Sequence, residues 1–333
     1  MKQKIINALK KFELNLKNKK VLTEAATGNF VVTPIIAALA GADVYAFTRN
    51  SAYGTIEDVR EQTLELSNDF NITKSITLVD NHDDIPFQDI DVLTNTGFLR
   101  PIDSSIIAKL SSKCVIPLMW EPWEFRPKEI DINACAQKGI KVYGTNESDP
   151  RLRTMDYIGF TALYWLLNRK FTPMSANILV IGSEKFASAI SSVLSNNNYI
   201  HTTICDYNQK PELADYNCII VAEYESERII IGDKPKALID NKEVKDKLII
   251  NISGNIDLHD YSNCIPEKPK RYPSMSFTTD FIDNTAVIDL HTAGLKVAEG
   301  MLEANRTGLE GESYKNFLEK NYPALSFKNE KYW

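Results

Sequence analysis

A chain of 333 residues that is 44% hydrophobic and 25% charged has a globular balance and is too long for one ordinary core, which predicts two domains. Its formal net charge of −6 argues against a nucleic-acid binder, which needs a basic face. No apolar run reaches the roughly 18 residues of a membrane span and the amino terminus has no signal-peptide stretch, so a cytoplasmic protein without membrane contact is expected.

The chain opens with a lysine-rich stretch, Lys2 to Lys20, interleaved with Ile5, Ile6, Leu9 and Phe12. That spacing predicts a short amphipathic helix with a solvated basic face. Short apolar runs then predict strands at residues 21–23, 43–48, 76–79, 92–94, 114–118 and 140–143. Helical patterns lie between them at 31–39, 56–66, 104–110 and 129–138. Thr55 and Asp103 are suitable N-caps for the second and third, and the fourth starts after Lys128. A helix over 151–169, with Pro173 beyond its end, leads to a second set of elements. These are strands at 177–181, 202–205, 218–222, 248–252 and 286–290, with a helix running from Gly182 to about Leu194. The stretch 257–283, with Pro266, Pro269 and Pro273, shows no clear pattern. Helices at 291–305 and 313–319 follow, then a tail whose Tyr322, Leu325, Phe327 and Trp333 suit docking. Alternation of this kind predicts an α/β protein with parallel sheets covered by helices on both faces.

The five cysteines, Cys114, Cys135, Cys205, Cys218 and Cys264, are odd in number and lack metal-ligand spacing, a reduced intracellular pattern. The four histidines are scattered, so no metal site is expected.

Residues 177–187 read N-I-L-V-I-G-S-E-K-F-A, a buried strand entering Gly182 and then a helix. This is the context of a dinucleotide loop, and Asp206, at the end of the next strand, can hold ribose hydroxyls. Ala187 occupies the third glycine position of the pattern. Glu184 occupies the second, where glycine normally lets the backbone approach the pyrophosphate. A carboxylate about 4 Å from a phosphate is repelled by about 4 kcal/mol per charge pair at a surface-like dielectric. The candidate cofactor contacts are Gly182, Ser183, Glu184, Lys185, Phe186, Asp206, Tyr207 and Ser253, with NAD as the cofactor and Glu184 as the residue opposing it.

Ligands of parallel α/β sheets bind beyond the carboxyl ends of the strands. There the first half carries Thr23 and Glu24, Thr48 and Arg49, then Thr94, Asn95, Thr96 and Arg100. It also carries Trp120-Glu121-Pro122-Trp123-Glu124-Phe125-Arg126, and Thr145 to Glu147. Tryptophans can wall a pocket and arginine can grip a carboxylate or phosphate with two N–H groups. The same residues could instead pack a domain interface. Thr23, Glu24, Arg49, Asn95, Thr96, Trp120, Trp123 and Arg126 are the candidate substrate contacts, with Arg100 and Glu121 as candidate catalytic groups.

This order of parts, together with Leu290-His291-Thr292-Ala293-Gly294, resembles the D-2-hydroxyacid dehydrogenase family and the related S-adenosylhomocysteine hydrolases. The resemblance implies a flavodoxin-like substrate domain over 1–152, completed by 292–333 as a C-terminal helix returning to it. It implies a Rossmann-type NAD domain over 153–291, and a homodimer. His291 would be the general acid/base. The family's substrate-binding arginine is replaced by Ser253-Gly254-Asn255, and the acidic partner of the histidine, Glu267 or Asp280, has no supporting motif. The expected function is an NAD-dependent oxidoreductase acting on a small anionic hydroxy or oxo substrate. A hydrolase, lyase or epimerase of the same fold, with tightly held NAD or none, and a non-catalytic ligand-binding protein are the alternatives.

Overall fold

A computed structural model describes residues 1–207 and 211–327. The chain divides into two compact units, one of Met1–Leu152 together with the chain from Asn284 on, the other of Arg153–Asp283.

In the first unit α1 (Lys2–Phe12) buries Ile5, Ala8 and Phe12 and turns its lysines outward, as the spacing predicts. Four strand–helix steps and a last strand follow: β1 (Lys20–Glu24) and α2 (Val32–Leu39); β2 (Asp43–Phe47) and α3 (Ile56–Asp69); β3 (Ile76–Val79) and β4 (Val92–Leu93) before α4 (Ser104–Lys109); β5 (Val115–Pro117) and α5 (Ile132–Lys138); then β6 (Lys141–Thr145). Thr55 and Asp58 close a capping box on α3, and Asp103 caps α4 through the N–H groups of Ser105 and Ile106. The start expected after Lys128 is corrected: Asp131 caps α5 by accepting from the Ala134 N–H.

The second unit holds α6 (Asp156–Asn168), β7 (Asn177–Gly182), α7 (Glu184–Asn196), β8 (Ile200–Ile204), β9 (Cys218–Ala222), β10 (Ile229–Gly232), β11 (Ala237–Asp240), β12 (Leu248–Ser253), β13 (Asn255–Ile256) and β14 (Cys264–Ile265). The chain then completes the first unit with α8 (Thr285–Arg306), α9 (Gly311–Asn321) and β15 (Ala324–Leu325).

The strand expected at 286–290 is corrected: these residues begin α8. A β-branched apolar run reads the same in a buried strand and in a helix buried around most of its girth. Ala286, Val287, Ile288 and Asp289 are buried in succession because α8 packs against α1, α2, β5 and β6. The division of the chain therefore falls before α8, ahead of the expected boundary at residue 291. Trp333, expected to dock the tail, lies outside the described residues.

The first sheet has the order β15-β6-β5-β4-β1-β2-β3, parallel except for β15 against β6. The second runs β14-β12-β9-β7-β8, all parallel, beside a small sheet β11-β10-β13. The strand orders reverse the expected assignment. The first unit has the doubly wound 3-2-1-4-5-6 order and the second a 2-1-3-4-5 order. Two causes are visible. The strand at Ile76–Val79 pairs with β2 and extends the first sheet. The connection from β8 to β9 is too short for another strand with its crossover, which needs a dozen or more residues beyond the strand itself.

Candidate functional site

In the first sheet the strand order reverses between β1 and β4, and such reversals open a crevice beyond the carboxyl ends of the strands. β1 delivers Thr23 and Glu24 there, β4 runs into Thr94, Asn95 and Thr96, and β2 into Thr48 and Arg49. Thr23, Thr48, Thr94 and Asn95 are 0% exposed and Glu24 is 6% exposed. The Thr94 hydroxyl donates to Thr23 Oγ1 at 2.9 Å and lies 2.9 Å from the Thr96 hydroxyl. The Glu24 N–H donates to Thr96 Oγ1 at 3.2 Å, and the Phe98 N–H donates to Glu24 Oε2 at 2.9 Å. A Cβ at Gly97 would stand 2.7 Å from Glu24 Oε2, so glycine lets this loop close on the carboxylate.

Two atoms in this crevice are left over. Thr48 Oγ1 and Asn95 Nδ2 are buried with no hydrogen-bond partner among the described residues. The Asn95 amide is oriented, because its Oδ1 accepts the Met119 N–H at 2.9 Å. Buried polar groups are nearly always paired, so two unpaired ones at the strand ends on either side of β1 call for a missing partner.

Burial raises the Glu24 carboxyl above its ordinary range, against the lowering pull of the Phe98 N–H, Arg100, the Gly97 N–H and Arg49. The Arg49 guanidinium lies 5.4 Å from the Phe98 ring. Arg100 lies 5.0 Å from the Trp120 ring and pairs with Glu129. Arg100 Nε and Glu129 Oε2 are also buried without a partner among the described residues. Arg126 reaches the same carboxylate, with Nη1 3.7 Å from Glu129 Oε1.

The Trp120–Arg126 stretch is braced from within. Trp123 Nε1 donates to Glu121 Oε2 at 2.6 Å, and the Glu147 N–H donates to Glu121 Oε1 at 3.0 Å. Glu121 Oε2 thus braces the loop after β5 from within, and Oε1 ties that loop to the loop after β6.

His291 is held by other residues. It lies inside α8, 7% exposed, with Nδ1 2.5 Å from Thr33 Oγ1 and its ring 6.0 Å from Phe30. Burial lowers it to about 4, so the imidazole is neutral at neutral pH. The small residues after it serve packing: a Cβ at Gly294 would meet Met119 Sδ at 2.6 Å.

The candidate cofactor residues lie in the second unit. A Cβ at Gly182 would stand 2.1 Å from the Ala222 carbonyl oxygen, so strand packing alone requires this glycine. Ser183 is buried, and its hydroxyl donates to that carbonyl at 3.4 Å. Phe186 is buried and stacks on Tyr224 at 5.2 Å. Glu184 and Asp206 are exposed, and Lys185 is half-buried. Tyr207 donates its hydroxyl to Glu223, a residue only 2% exposed. Glu223 Oε1 also takes the N–H groups of Glu225 at 2.7 Å and Ser226 at 3.1 Å. Ser253 is fully buried and its hydroxyl has no partner among the described residues. Burial, with Glu184, Glu223 and Glu225 acting on it, raises the Cys205 thiol. These strand ends are therefore acidic, and the N–H groups beyond β9 already serve a carboxylate. The strand, Gly182 and Asp206 suit a dinucleotide, but Glu184, Glu223 and Glu225 oppose its diphosphate.

Glu129, Thr33 and Glu223 were not among the residues singled out from the sequence, and Thr48 was named at its strand end without being chosen as a candidate contact. The strand-end rule would have found Glu223; Glu129 and Thr33 join the others only through the tertiary fold. Among the described residues no group of three His, Cys, Asp or Glu side chains is placed to hold a metal ion. No described helix is long and apolar enough to cross a membrane.

No family model and no curated protein matches the sequence. Solved structures similar to the chain include the dipicolinate synthase A chain of Bacillus subtilis, 13% identical, covering 89% of this chain and 98% of that one, with a TM-score of 0.48. They also include the NAD+-bound D-lactate dehydrogenase of Lactobacillus jensenii, 12% identical, covering 86% and 97%, TM-score 0.45. A third is the NAD-complexed D-isomer specific 2-hydroxyacid dehydrogenase of Lactobacillus delbrueckii ssp. bulgaricus, 12% identical, covering 89% and 99%, TM-score 0.45. The structures this chain is similar to are thus D-2-hydroxyacid dehydrogenases and dipicolinate synthase, and the chain itself is an α/β protein of two parallel-sheet units.

Proposed function

We propose that the protein is a non-redox enzyme that moves a proton on a small anionic substrate, in the manner of a lyase or epimerase. The observation that carries this is Glu24, a buried carboxyl raised above its ordinary range at the reversal of a doubly wound sheet. A carboxyl tuned upward is suited to exchange a proton near neutral pH. In this reading Glu24 takes the proton next to the substrate carboxylate. Arg100 and Arg49 balance the substrate's charge, and Asn95 Nδ2 and Thr48 Oγ1 hydrogen-bond its oxygens. Trp120 holds the Arg100 guanidinium in place. His291, buried and neutral, positions α8 through Thr33 and exchanges no proton.

The test is kinetic. Glu24→Gln should abolish turnover while leaving substrate binding within a few-fold, and Arg100→Gln should weaken binding. A Glu24→Gln enzyme with intact turnover sinks this reading.

The second reading is the NAD-dependent oxidoreductase on a hydroxy or oxo acid, favoured by the β7–Gly182–α7 passage and Asp206. It requires a dinucleotide to bind despite Glu184, Glu223 and Glu225. A cytoplasmic location fits the five unpaired cysteines. A homodimer fits the exposed Tyr164, Leu167 and Phe281 of the second unit, Tyr164 and Phe281 lying 5.6 Å apart. Sedimentation of the wild type and of Leu167→Glu tests the dimer.

A further inference from the structure

A cavity of about 350 Å³ lies in the first unit between α5, β6 and α9. Ligand pockets begin at about this size, roughly 300 Å³. It is far along the chain direction from the crevice just described: it borders Lys141, where β6 begins, whereas Thr145 ends that strand at the polar crevice. Its walls are mainly apolar, with Ile132 and Ala136 from α5 and Val142 from β6. The space opens to solvent along Ala136, Gly139 and Gly311, all of them exposed, so it is a groove that a small molecule can enter. Nothing lies within 4 Å of where a Cβ would sit at Gly139 or Gly311, both of which border it.

Polar groups meet at one side. Tyr314 borders the cavity, is 4% exposed, and its hydroxyl is buried with no hydrogen-bond partner among the described residues. The Lys141 ammonium lies 5.6 Å from the Tyr314 ring centroid. Lys315 and Glu312 also border the cavity, which leaves the rim with one net positive charge from these three side chains. A groove with apolar walls on one side, an unanswered hydroxyl and two lysines at its mouth matches one ligand chemistry.

We infer that this cavity is a second binding site, separate from the proton-transfer crevice, for a small organic anion with an apolar body, of the aryl carboxylate class. The ring lies among Ile132, Ala136 and Val142, a carboxylate oxygen accepts from the Tyr314 hydroxyl, and Lys141 and Lys315 balance the charge. The inference does not rest on the acid–base role of Glu24.

The full-length protein is titrated with 1-naphthoate by calorimetry, with saturation-transfer NMR as the second readout. One-site binding is expected. Ala136→Phe, at an exposed helix position that tolerates a larger side chain, fills the cavity and should abolish it. Tyr314→Phe should weaken binding about fivefold, the worth of one ordinary hydrogen bond. Without ligand the same variant should melt no lower than wild type, because it removes a buried hydroxyl that has no partner. Lys141→Glu with Lys315→Glu should weaken binding about tenfold or more and requires no change in the core. The inference is overturned if naphthoate does not bind, if Ala136→Phe and the double charge reversal both leave binding unchanged, or if Tyr314→Phe destabilises the free protein.

Discussion

Phe98 donates its backbone N–H to the Glu24 carboxylate at 2.9 Å, across the point where the first sheet reverses its strand order. The bond fixes the carboxylate while burial penalises its charge, and burial is the larger effect. A group left with a raised pKa in this way reduces stability when it ionises. Above the unfolded pKa of the glutamate, the unfolded chain has released a proton that the folded chain retains. Stability therefore falls as pH rises toward the folded pKa. Glu24→Gln removes that loss. It should raise stability on the order of 1 kcal/mol at pH 8, with a smaller gain at pH 5, the pattern of a site where activity is kept at the expense of stability. Urea denaturation at the two pH values checks this; a variant less stable at both would show the carboxylate to be structural.

Burial of the His291 imidazole produces a pH dependence of the opposite sign. Its pKa falls from 6.5 to about 4, so between these values the unfolded chain binds a proton that the folded chain does not. Stability from this group is complete above about pH 6.5 and is lost as pH falls toward 4. The upper limit is about 3 kcal/mol, because each tenfold change in proton affinity is worth about 1.4 kcal/mol. His291→Gln should flatten the acid side of the stability profile relative to wild type and leave the rate near neutral pH within a few-fold. A rate loss of a hundredfold or more with an unchanged fold would restore the proton-transfer role expected of this histidine.

Gly182 separates packing from cofactor binding. A methyl group there would meet the Ala222 carbonyl oxygen at 2.1 Å. Gly182→Ala should therefore destabilise the cofactor-free protein by about 2–3 kcal/mol, as overpacking usually does. Thermal melts of the cofactor-free variant measure this. An unchanged melting temperature would return the glycine to a ligand-binding purpose.

The acidic strand ends of the second unit predict the outcome of a nicotinamide titration. Neither NADH nor NADPH should quench tryptophan fluorescence at up to millimolar concentration, and denatured protein should release no nicotinamide. Glu184→Gly alone should not create tight binding, since Glu223 and Glu225 remain. Micromolar binding by wild type would favour the oxidoreductase reading.

Much of the fold was legible in the sequence because most of its longer strands are short apolar runs closed by polar or glycine residues; β10, β11, β13, β14 and β15 were not among the strands expected. The polar strand ends of the first unit, Thr23, Glu24, Asn95 and Thr96, were legible for the same reason. Strand order was not, since the pairing of Ile76–Val79 with β2 is a tertiary choice. Nor was the helix over residues 285–290, whose burial on several sides erases helical periodicity. The contacts that set the chemistry link distant positions: Thr33 with His291, Arg100 with Glu129, Tyr207 with Glu223. No local pattern records such pairs. The H-T-A-G run and Gly182 show the converse, where a motif read for catalysis or cofactor meets a packing need.

The most direct test of the central claim follows proton transfer itself. A panel of small 2-hydroxy acids is incubated with the protein in D2O, without nicotinamide, and deuterium entry at the carbon next to the carboxylate is read by NMR. The account predicts exchange of at least one member by wild type and a loss of about 10²–10⁴-fold in Glu24→Gln, the usual worth of a general acid or base. Exchange that survives in Glu24→Gln, or that occurs only when nicotinamide is added, would contradict it.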